Sequence, residues 1–519
     1  MLYLCFKKFN FKVFNLLLEI TFDYKSKNDI FEYLLDYYAK DFTYDYEQKD
    51  EKIIIKVKGE KDEIQAFCSN LENISHSVFL NKFDLKVIEE DFTPIKKVKT
   101  FTKRSFLTRL NANAYTNGEL LKNEWGVFVE EEFKIEEDFI KITKENFCYN
   151  LKKALEKLKN KEKIYLKNSK GIYAFEIFNE ALDDFLMPSD PKHINAFFSC
   201  NNEQFKILAG VEKPLMRLKF NAIFRQNHQL NHEYFKIKIY DNLFLFALCF
   251  ELEKEGIKFL NFKKLEHFED DFEVTLIENE LVVCRGYDYI LPEFKNLIFQ
   301  KEDKNFARIS CILSDFKDKK PLLLELSKKY DDIILLDKEI NLLKLNLPKS
   351  FDEFYENISQ DDVAKRLLAN YEKEFTLVRK ELNTANNFFN LFGMVGMILE
   401  LSKDEQKAAL ALLALADESK MAKGVRIDFK LNEQKEFDYT KTLRSVMSFK
   451  LAGVENQIIA LGVVESLAYF LRDLFDDLKV KEQVDCAVLS GSLFEHKSLS
   501  KNVFKHIPFF KLSDVPLWI

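Results

Sequence analysis

The sequence is short of glycine: 13 in 519 residues, about 2.5% against a usual share near 7%. Neither G-x-G-x-x-G nor G-x-x-x-x-G-K-[ST] occurs, and no glycine lies between Gly286 and Gly393. Both motifs place glycine where backbone must approach a phosphate, so their lack argues against dinucleotide-fingerprint enzymes and P-loop NTPases. Paired cysteines are missing too. The eight cysteines, at 5, 68, 148, 200, 249, 284, 311 and 486, are never closer than 27 residues. That leaves no C-x-x-C for a zinc finger or a redox couple. Scattered single thiols suit a reducing compartment, and a cytoplasmic location is expected. Positive charge is not in excess: 78 Lys+Arg against 85 Asp+Glu gives −7, and no nucleic-acid partner is expected. The one basic run, Lys96-Lys97-Val98-Lys99 to Lys103-Arg104, reads as a solvated linker. Long apolar runs are lacking. Residues 382–399 are uncharged but carry four Asn and a Thr, too polar for membrane insertion. At the N-terminus lysines break the apolar run of MLYLCFKKFNFKVFNLLLEITF, and no small-residue cleavage site follows, which does not fit a signal peptide.

What is present is enough hydrophobic sequence, 47%, for several buried cores, and a length that suggests two to four domains. Leu17–Tyr24 is apolar and β-rich, and Asp29–Asp41 has helical spacing at Ile30, Tyr33, Leu34 and Tyr37. Thr43–Glu47 and Lys52–Lys58 alternate with period two, Asp62–Leu71 is amphipathic, and Phe83–Glu89 reads as a last strand. The order strand, helix, two strands, helix, strand is that of a ferredoxin-like split βαβ. Residues 93–144 read as a linker with a small appended element, and 145–295 alternate helices and strands as a mixed α/β domain. From 296 long helices dominate. The helix expected over Gln457–Asp476 is apolar almost all round and should be buried.

Few constellations carry chemistry. His228 and His232 share a helical face at i, i+4, but no H-E-x-x-H accompanies them, and two surface histidines in a polar loop is the plainer reading. Cys486–Leu489 reads as a strand that Ser490-Gly491 ends before a helix opening at Phe494. Such turns present backbone N–H groups to an anion. Ser490 lacks the G-x-S-x-G setting of a nucleophile. No metal site and no catalytic pair can be singled out among 85 carboxylates.

Several ordered segments resemble the carbamoyltransferase HypF family of [NiFe]-hydrogenase maturation proteins. LKKALEKLKNKEKIYLKNSKGIYAF (151–175) resembles the opening of that family's YrdC-like domain, and GVEKPLMRLKF (210–220) one of its Lys/Arg-Pro-apolar strands. VVCRGYDYILPEF (282–294) is similar to its R-G-Y-x-P junction. DEQKAALALLALADES (404–419) is similar to Y-E-G-Q-A-A-x-x-L-E, and VLSGSLFEHKSL (488–499) to L-S-G-G-V-F-x-N-x-x-L. The resemblance implies an α/β chain with an α+β N-terminal part. Its domains would be a ferredoxin-like, acylphosphatase-type one over 1–92, a linker without zinc-finger cysteines over 93–144, a YrdC-like one over 145–295, and a truncated Kae-type (actin/sugar-kinase-like) one over 296–519. It implies nucleotide-binding positions at Lys213, Glu405, Ser490 and Gly491.

Departures are as informative. Lys25 sits in DYKSKN where the family has a Gly-rich turn with Arg, and residues 295–385 contain no His for the family's metal segment. Gln406 replaces Gly after Glu405, Ser492 replaces the loop's second Gly, His496 its Asn, and Val515-Pro516 the Gly pair after Asp514. A β-carbon where a phosphate must come close obstructs binding. The expectation is therefore an accessory protein for [NiFe]-hydrogenase maturation that has lost carbamoyl transfer, needs no cofactor, and contacts hydrogenase subunits or other maturation factors. Trp518 is a candidate anchor for such a partner, C-terminal packing being its plainer role. The alternative is an active carbamoyltransferase using ATP-Mg and carbamoyl phosphate.

Overall fold

The computed structural model describes residues 16–25, 30–49, 52–72, 74, 76–89, 91–93, 106–179, 185–227, 234–265, 272–290, 292–336, 340–383 and 385–519. The basic run at 96–104, the His228/His232 pair and residues 26–28 of the DYKSKN loop lie outside these. The chain forms two compact units, one of residues 1–275 with 285–296, the other of 276–284 with 297–519.

The first unit begins with β1 (Leu16–Tyr24), α1 (Ile30–Ala39), β2 (Thr43–Lys49), β3 (Lys52–Gly59), α2 (Lys61–Leu71) and β4 (Leu80–Val87). The antiparallel sheet has the order β2-β3-β1-β4, the split βαβ arrangement read from the sequence. The run LLLEITFDY makes β1 a central strand, paired on both sides and buried along most of its length. A reciprocal capping box starts α2: Glu60 and Glu63 satisfy each other's backbone N–H groups.

A second, mixed sheet follows. Its strands are β5 (Glu132–Ile135), β6 (Asp138–Lys141), β7 (Ile164–Asn168), β8 (Gly171–Ile177), β9 (Phe185–Pro188), β10 (Phe198–Ser199), β11 (Leu215–Phe220), β12 (Tyr234–Ile237), β13 (Phe259–Lys264) and β14 (Glu273–Ile277). They run β14-β11-β12-β9-β13-β8-β7-β5-β6, with β10 on β11. Here the sequence reading needs correction. The stretch expected as linker carries a helix, α3 (Arg109–Thr116), and the hairpin β5–β6, which pairs with β7 and joins the sheet. Four-residue strands are too short to show a period, and pairing with β7 supplies what local sequence does not. Helix α4 (Phe147–Lys159) and helix α5 (Leu243–Lys254) contribute Leu151, Ala154, Leu158, Leu248 and Leu252 to the core. Glu278 and Asn279, both at positive φ, turn the chain into β15 (Glu280–Arg285).

The second unit holds a five-stranded sheet of β16 (Pro321–Glu325), β17 (Ile333–Leu336), β18 (Ile340–Asn341), β19 (Cys486–Ser490) and β20 (Phe510–Leu512), in the order β18-β17-β16-β19-β20. β16, β19 and β20 are mutually parallel. The helices that matter below are α6 (Lys304–Asp315), α7 (Phe388–Ile398), α8 (Glu405–Glu418), α9 (Asn456–Glu482) and α10 (Lys497–His506). Asp303, Asn387 and Asp404 cap the first three, each accepting a backbone N–H of the first turn. Gly393 and Gly396 let α7 lie directly against α8. A Cβ at Gly393 would sit 2.6 Å from Glu405 Cγ, and one at Gly396 would be 2.7 Å from the Ala408 carbonyl carbon. α9 is buried on most of its circumference, as its all-round apolar sequence requires, and runs beyond the expected 476 to Glu482. Among the described residues, no helix is long and apolar enough to cross a membrane.

Candidate functional site

Strand β19, buried at all five residues, delivers Ser490 to the end of the parallel pair β16–β19, opposite Glu325. Ser490 Oγ accepts a 2.7 Å hydrogen bond from Arg308 Nη1. Arg308 comes from α6 and is 0% exposed. Its guanidinium also ion-pairs with Glu325, bonds Asn305 Oδ1 at 2.9 and 3.2 Å, and reaches Pro516 O at 3.3 Å. A buried charge is stable only when paired and hydrogen-bonded in this way.

Gly491 has φ +97, and a Cβ there would lie 2.6 Å from Leu326 N. Glycine is required on both counts. Its N–H donates to Leu517 O at 3.2 Å, Leu493 N–H to Leu326 O at 3.0 Å, and Phe494 N–H to Gly491 O at 3.2 Å. Ser492 Oγ accepts from Lys328 N at 2.8 Å. The expected helix at Phe494 is a 3₁₀ turn, Ser492–Glu495, and α10 begins only at Lys497 with His496 as its N-cap. An anion-binding turn must aim its N–H groups at the ligand. Here Gly491 and Leu493 already spend theirs on the chain's own carbonyls.

Glu405 stands elsewhere in the second unit. It opens α8, buried against Gly393. Its Oε2 accepts Asn383 N–H at 3.0 Å, and its Oε1 is buried without a hydrogen-bond partner. Burial raises its pKa. Gln406, which follows it, is exposed.

Lys213 belongs to the first unit. It takes a left-handed conformation, φ +46, and Nζ donates to Ala209 O at 2.6 Å. Burial lowers its pKa to about 8. The preceding Glu212 is a clasp: its carboxylate accepts from Ser77 Oγ and, at 3.1 Å, from Val78 N, while Val211 N–H bonds His76 O at 2.8 Å.

The same unit holds a buried charged cluster that sequence reading did not find. Asp241 Oδ2 accepts from Lys238 Nζ at 2.6 Å and from Lys170 Nζ at 3.2 Å. Burial favours its neutral form, but the two ammoniums prevail and hold the carboxyl below its ordinary range. Glu131 has the opposite fate. It lines two voids of about 10 Å³ each beside Asp241, its Oε2 has no hydrogen-bond partner, and burial, reinforced by Asp241 and Glu130, pushes its pKa up to about 8. Between the ordinary value of 4.5 and about 8, the native state keeps a proton that the unfolded chain has lost. Stability therefore falls as pH rises through that window. Lys213 acts only above about 8, and Asp241 only below 3.8. Glu131→Gln should match the parent near pH 4.5 and exceed it progressively, by on the order of 2–4 kcal/mol at pH 8.5, in urea unfolding curves run across pH.

No family model matches the chain. It is similar to Protein HydE of Wolinella succinogenes, 26% identical over 275 residues, a match covering 50% of this chain and 48% of that protein. The matched region is thus about half the length of the relative. Among solved structures it is similar to full-length HypF in the phosphate- and nucleotide-bound form, with a TM-score of 0.56 over 97% of this chain and 96% of that one. It is also similar to T. kodakarensis HypF, with a TM-score of 0.65 over 98% and 96%; both are 11% identical. The fold is that of HypF.

The four nucleotide-binding positions expected from sequence are divided between the two units. Ser490 and Gly491 adjoin, Glu405 is committed to the α7–α8 contact, and Lys213 lies in the other unit. Trp518, the candidate partner anchor, is half-buried against the second unit's core, and its Nε1 donates to Glu495 at 3.1 Å. The residues missed were Arg308, Asn305 and Glu325. One signal was available for two of them: an Arg inside FARISCIL and a Glu inside PLLLEL are charges in otherwise apolar runs. Their separation of 17 residues, across a helix and a strand, hid that they form a pair. Among the described residues, no group of three or more His, Cys, Asp or Glu is arranged to hold a metal ion.

Proposed function

We propose that this protein is an accessory factor in [NiFe]-hydrogenase maturation that keeps a HypF scaffold and works through protein–protein contacts, without carbamoyl transfer. One observation carries the reading. The Ser490-Gly491-Ser492 turn is closed by the chain's own groups, with Gly491 N–H on Leu517 O and Ser490 on Arg308. HypF itself has been captured with phosphate and nucleotide bound. Here a ligand at this turn would have to displace those bonds and leave the buried Arg308–Glu325 pair short of a partner. The first unit is read as acylphosphatase-type and YrdC-like domains, and the second, with its parallel β16–β19–β20 core, as a shortened Kae-type domain.

Thermal unfolding of the full chain with saturating ATP-Mg, and separately with carbamoyl phosphate, tests this. Neither should move the transition. A ligand at 100 times its Kd adds about 2.7 kcal/mol to the state it binds, so an upward shift would be plain, and would return the active carbamoyltransferase as the better reading. With no shift, a pull-down against hydrogenase subunits and maturation factors should retain one of them; retention of none would sink the accessory role.

A further inference from the structure

The hairpin β5–β6 is joined to the rest of its sheet by a short contact. Among the described residues β6 pairs with β5 alone, and β5 meets β7 through Glu132 opposite Lys167 and Phe133 opposite Leu166. Phe133, fully buried and with its ring 6.2 Å from that of Phe244, is the apolar anchor. The polar anchor lies at the base of the hairpin. Glu131 O accepts Ile142 N–H at 3.0 Å, and Glu130 Oε1 accepts Ser169 N–H at 2.9 Å from the turn between β7 and β8. The Glu131 carboxyl faces inward. It is shared by the two small voids, one lined also by Glu130, Lys170 and Asp241, the other by Lys238, Asp241 and Tyr173. Asn168 and Asn242 line them too, but their Oδ1 atoms already accept the backbone N–H groups of Lys170 and Leu245. The remaining wall of β7, β8, β9, α5 and β13 is apolar. Two ammoniums, Lys170 and Lys238, thus face two carboxylates, Asp241 and Glu130, and the cluster is balanced before Glu131 is counted. An ionised Glu131 would add an unbalanced charge, 2% exposed and with Oε2 unpartnered among the described residues, beside voids each no larger than one water.

We propose that Glu131 is a proton-operated latch on the β5–β6 hairpin. While its carboxyl is neutral, the base of the hairpin stays closed against the β7–β8 turn and residues 238–241. When the proton leaves, the base opens and the carboxylate reaches water. Opening returns the group from a site where burial, Asp241 and Glu130 push its pKa up to about 8 to one near the ordinary 4.5. Between those limits each opening releases one proton, so the open population rises about tenfold per pH unit. Asp241 does not titrate in this window, because Lys238 and Lys170 hold it ionised far below it. The hairpin is the element placed to respond. A segment with few ladder bonds opens at lower free energy than a strand paired on both sides, such as β13 between β8 and β9.

Hydrogen exchange of the full chain, read by mass spectrometry at pH 6 and pH 8 and corrected for the intrinsic pH dependence of amide exchange, tests this. Protection of peptides spanning 130–142 should fall at least about tenfold between the two. Those amides should exchange faster than the amides of β13 at both. Glu131→Gln keeps the size of the side chain and cannot ionise, so its hairpin should hold the same protection at pH 8 as at pH 6. The infrared difference between parent and Glu131→Gln at pH 6 should contain the band of a protonated carboxyl. Hairpin protection that does not change with pH would overturn the latch, as would an equal fall in Glu131→Gln, which would assign the proton to another group. Equal exchange in the hairpin and β13 would mean that the proton leaves only on unfolding of the whole sheet, and so would no latch at all. Absence of the infrared band would place a carboxylate in the closed state and remove the device.

Discussion

Replacing Arg308 by Ala should destabilise the second unit by about 3–5 kcal/mol, because it strands the Glu325 carboxylate, 1% exposed, without its counter-charge. The loss also frees Asn305 Oδ1, Ser490 Oγ and Pro516 O from their shared donor. The double variant Arg308→Met with Glu325→Leu should recover most of that loss, since replacing both charges by apolar groups of similar volume is often close to neutral. The chain's two tryptophans make the measurement direct. In a Trp125→Phe background, Trp518 reports the second unit alone during urea unfolding. Equal stability of Arg308→Ala and the parent would mean that water, and not Arg308, meets the needs of this network.

The second large effect is at Gly491. Gly491→Ala should cost more than about 4 kcal/mol or prevent folding of the unit, because strained φ and a backbone clash act together. The new Cβ would press on the backbone of Leu326, 2.6 Å from its N and held there by the Leu326 N–Ser490 O and Leu493 N–Leu326 O bonds. Gly453 is the control. It too has positive φ, +73, but nothing lies within 4 Å of its added Cβ. Gly453→Ala should cost only about 1 kcal/mol. Similar melting temperatures for the two variants would show that the close approach at Leu326 relaxes without penalty. The contrast separates packing of the turn from its conformational strain, and so asks whether Gly491 is kept for its neighbour or for a ligand.

Some of this architecture was open to reading along the chain. Period-two stretches at 43–47 and 52–58 and helical spacing at 30–37 place β2, β3 and α1, because one buried face of a strand or helix imposes its own repeat. The same logic exposes α9 as a buried helix and β19 as a buried strand. It fails for β5 and β6, where four residues are too few to show a repeat and pairing with β7 makes the strand. It fails again for the candidate site. The S-G-S turn is visible in the sequence, but nothing local says that the Gly491 donor meets Leu517 O or that Arg308 holds Ser490.

By itself, then, the sequence determined the βαββαβ start, the apolar core helix, the lack of C-x-x-C pairs and the lack of glycine-rich phosphate loops, all properties of local pattern or composition. Only the tertiary structure shows which groups hold the remaining turn. That depends on which distant donor satisfies which acceptor, a pairing across 182 residues for Arg308 and Ser490. Hydrogen bonds of that kind leave no period in the chain, since a buried polar group needs only a partner within about 3 Å and not a neighbour in sequence.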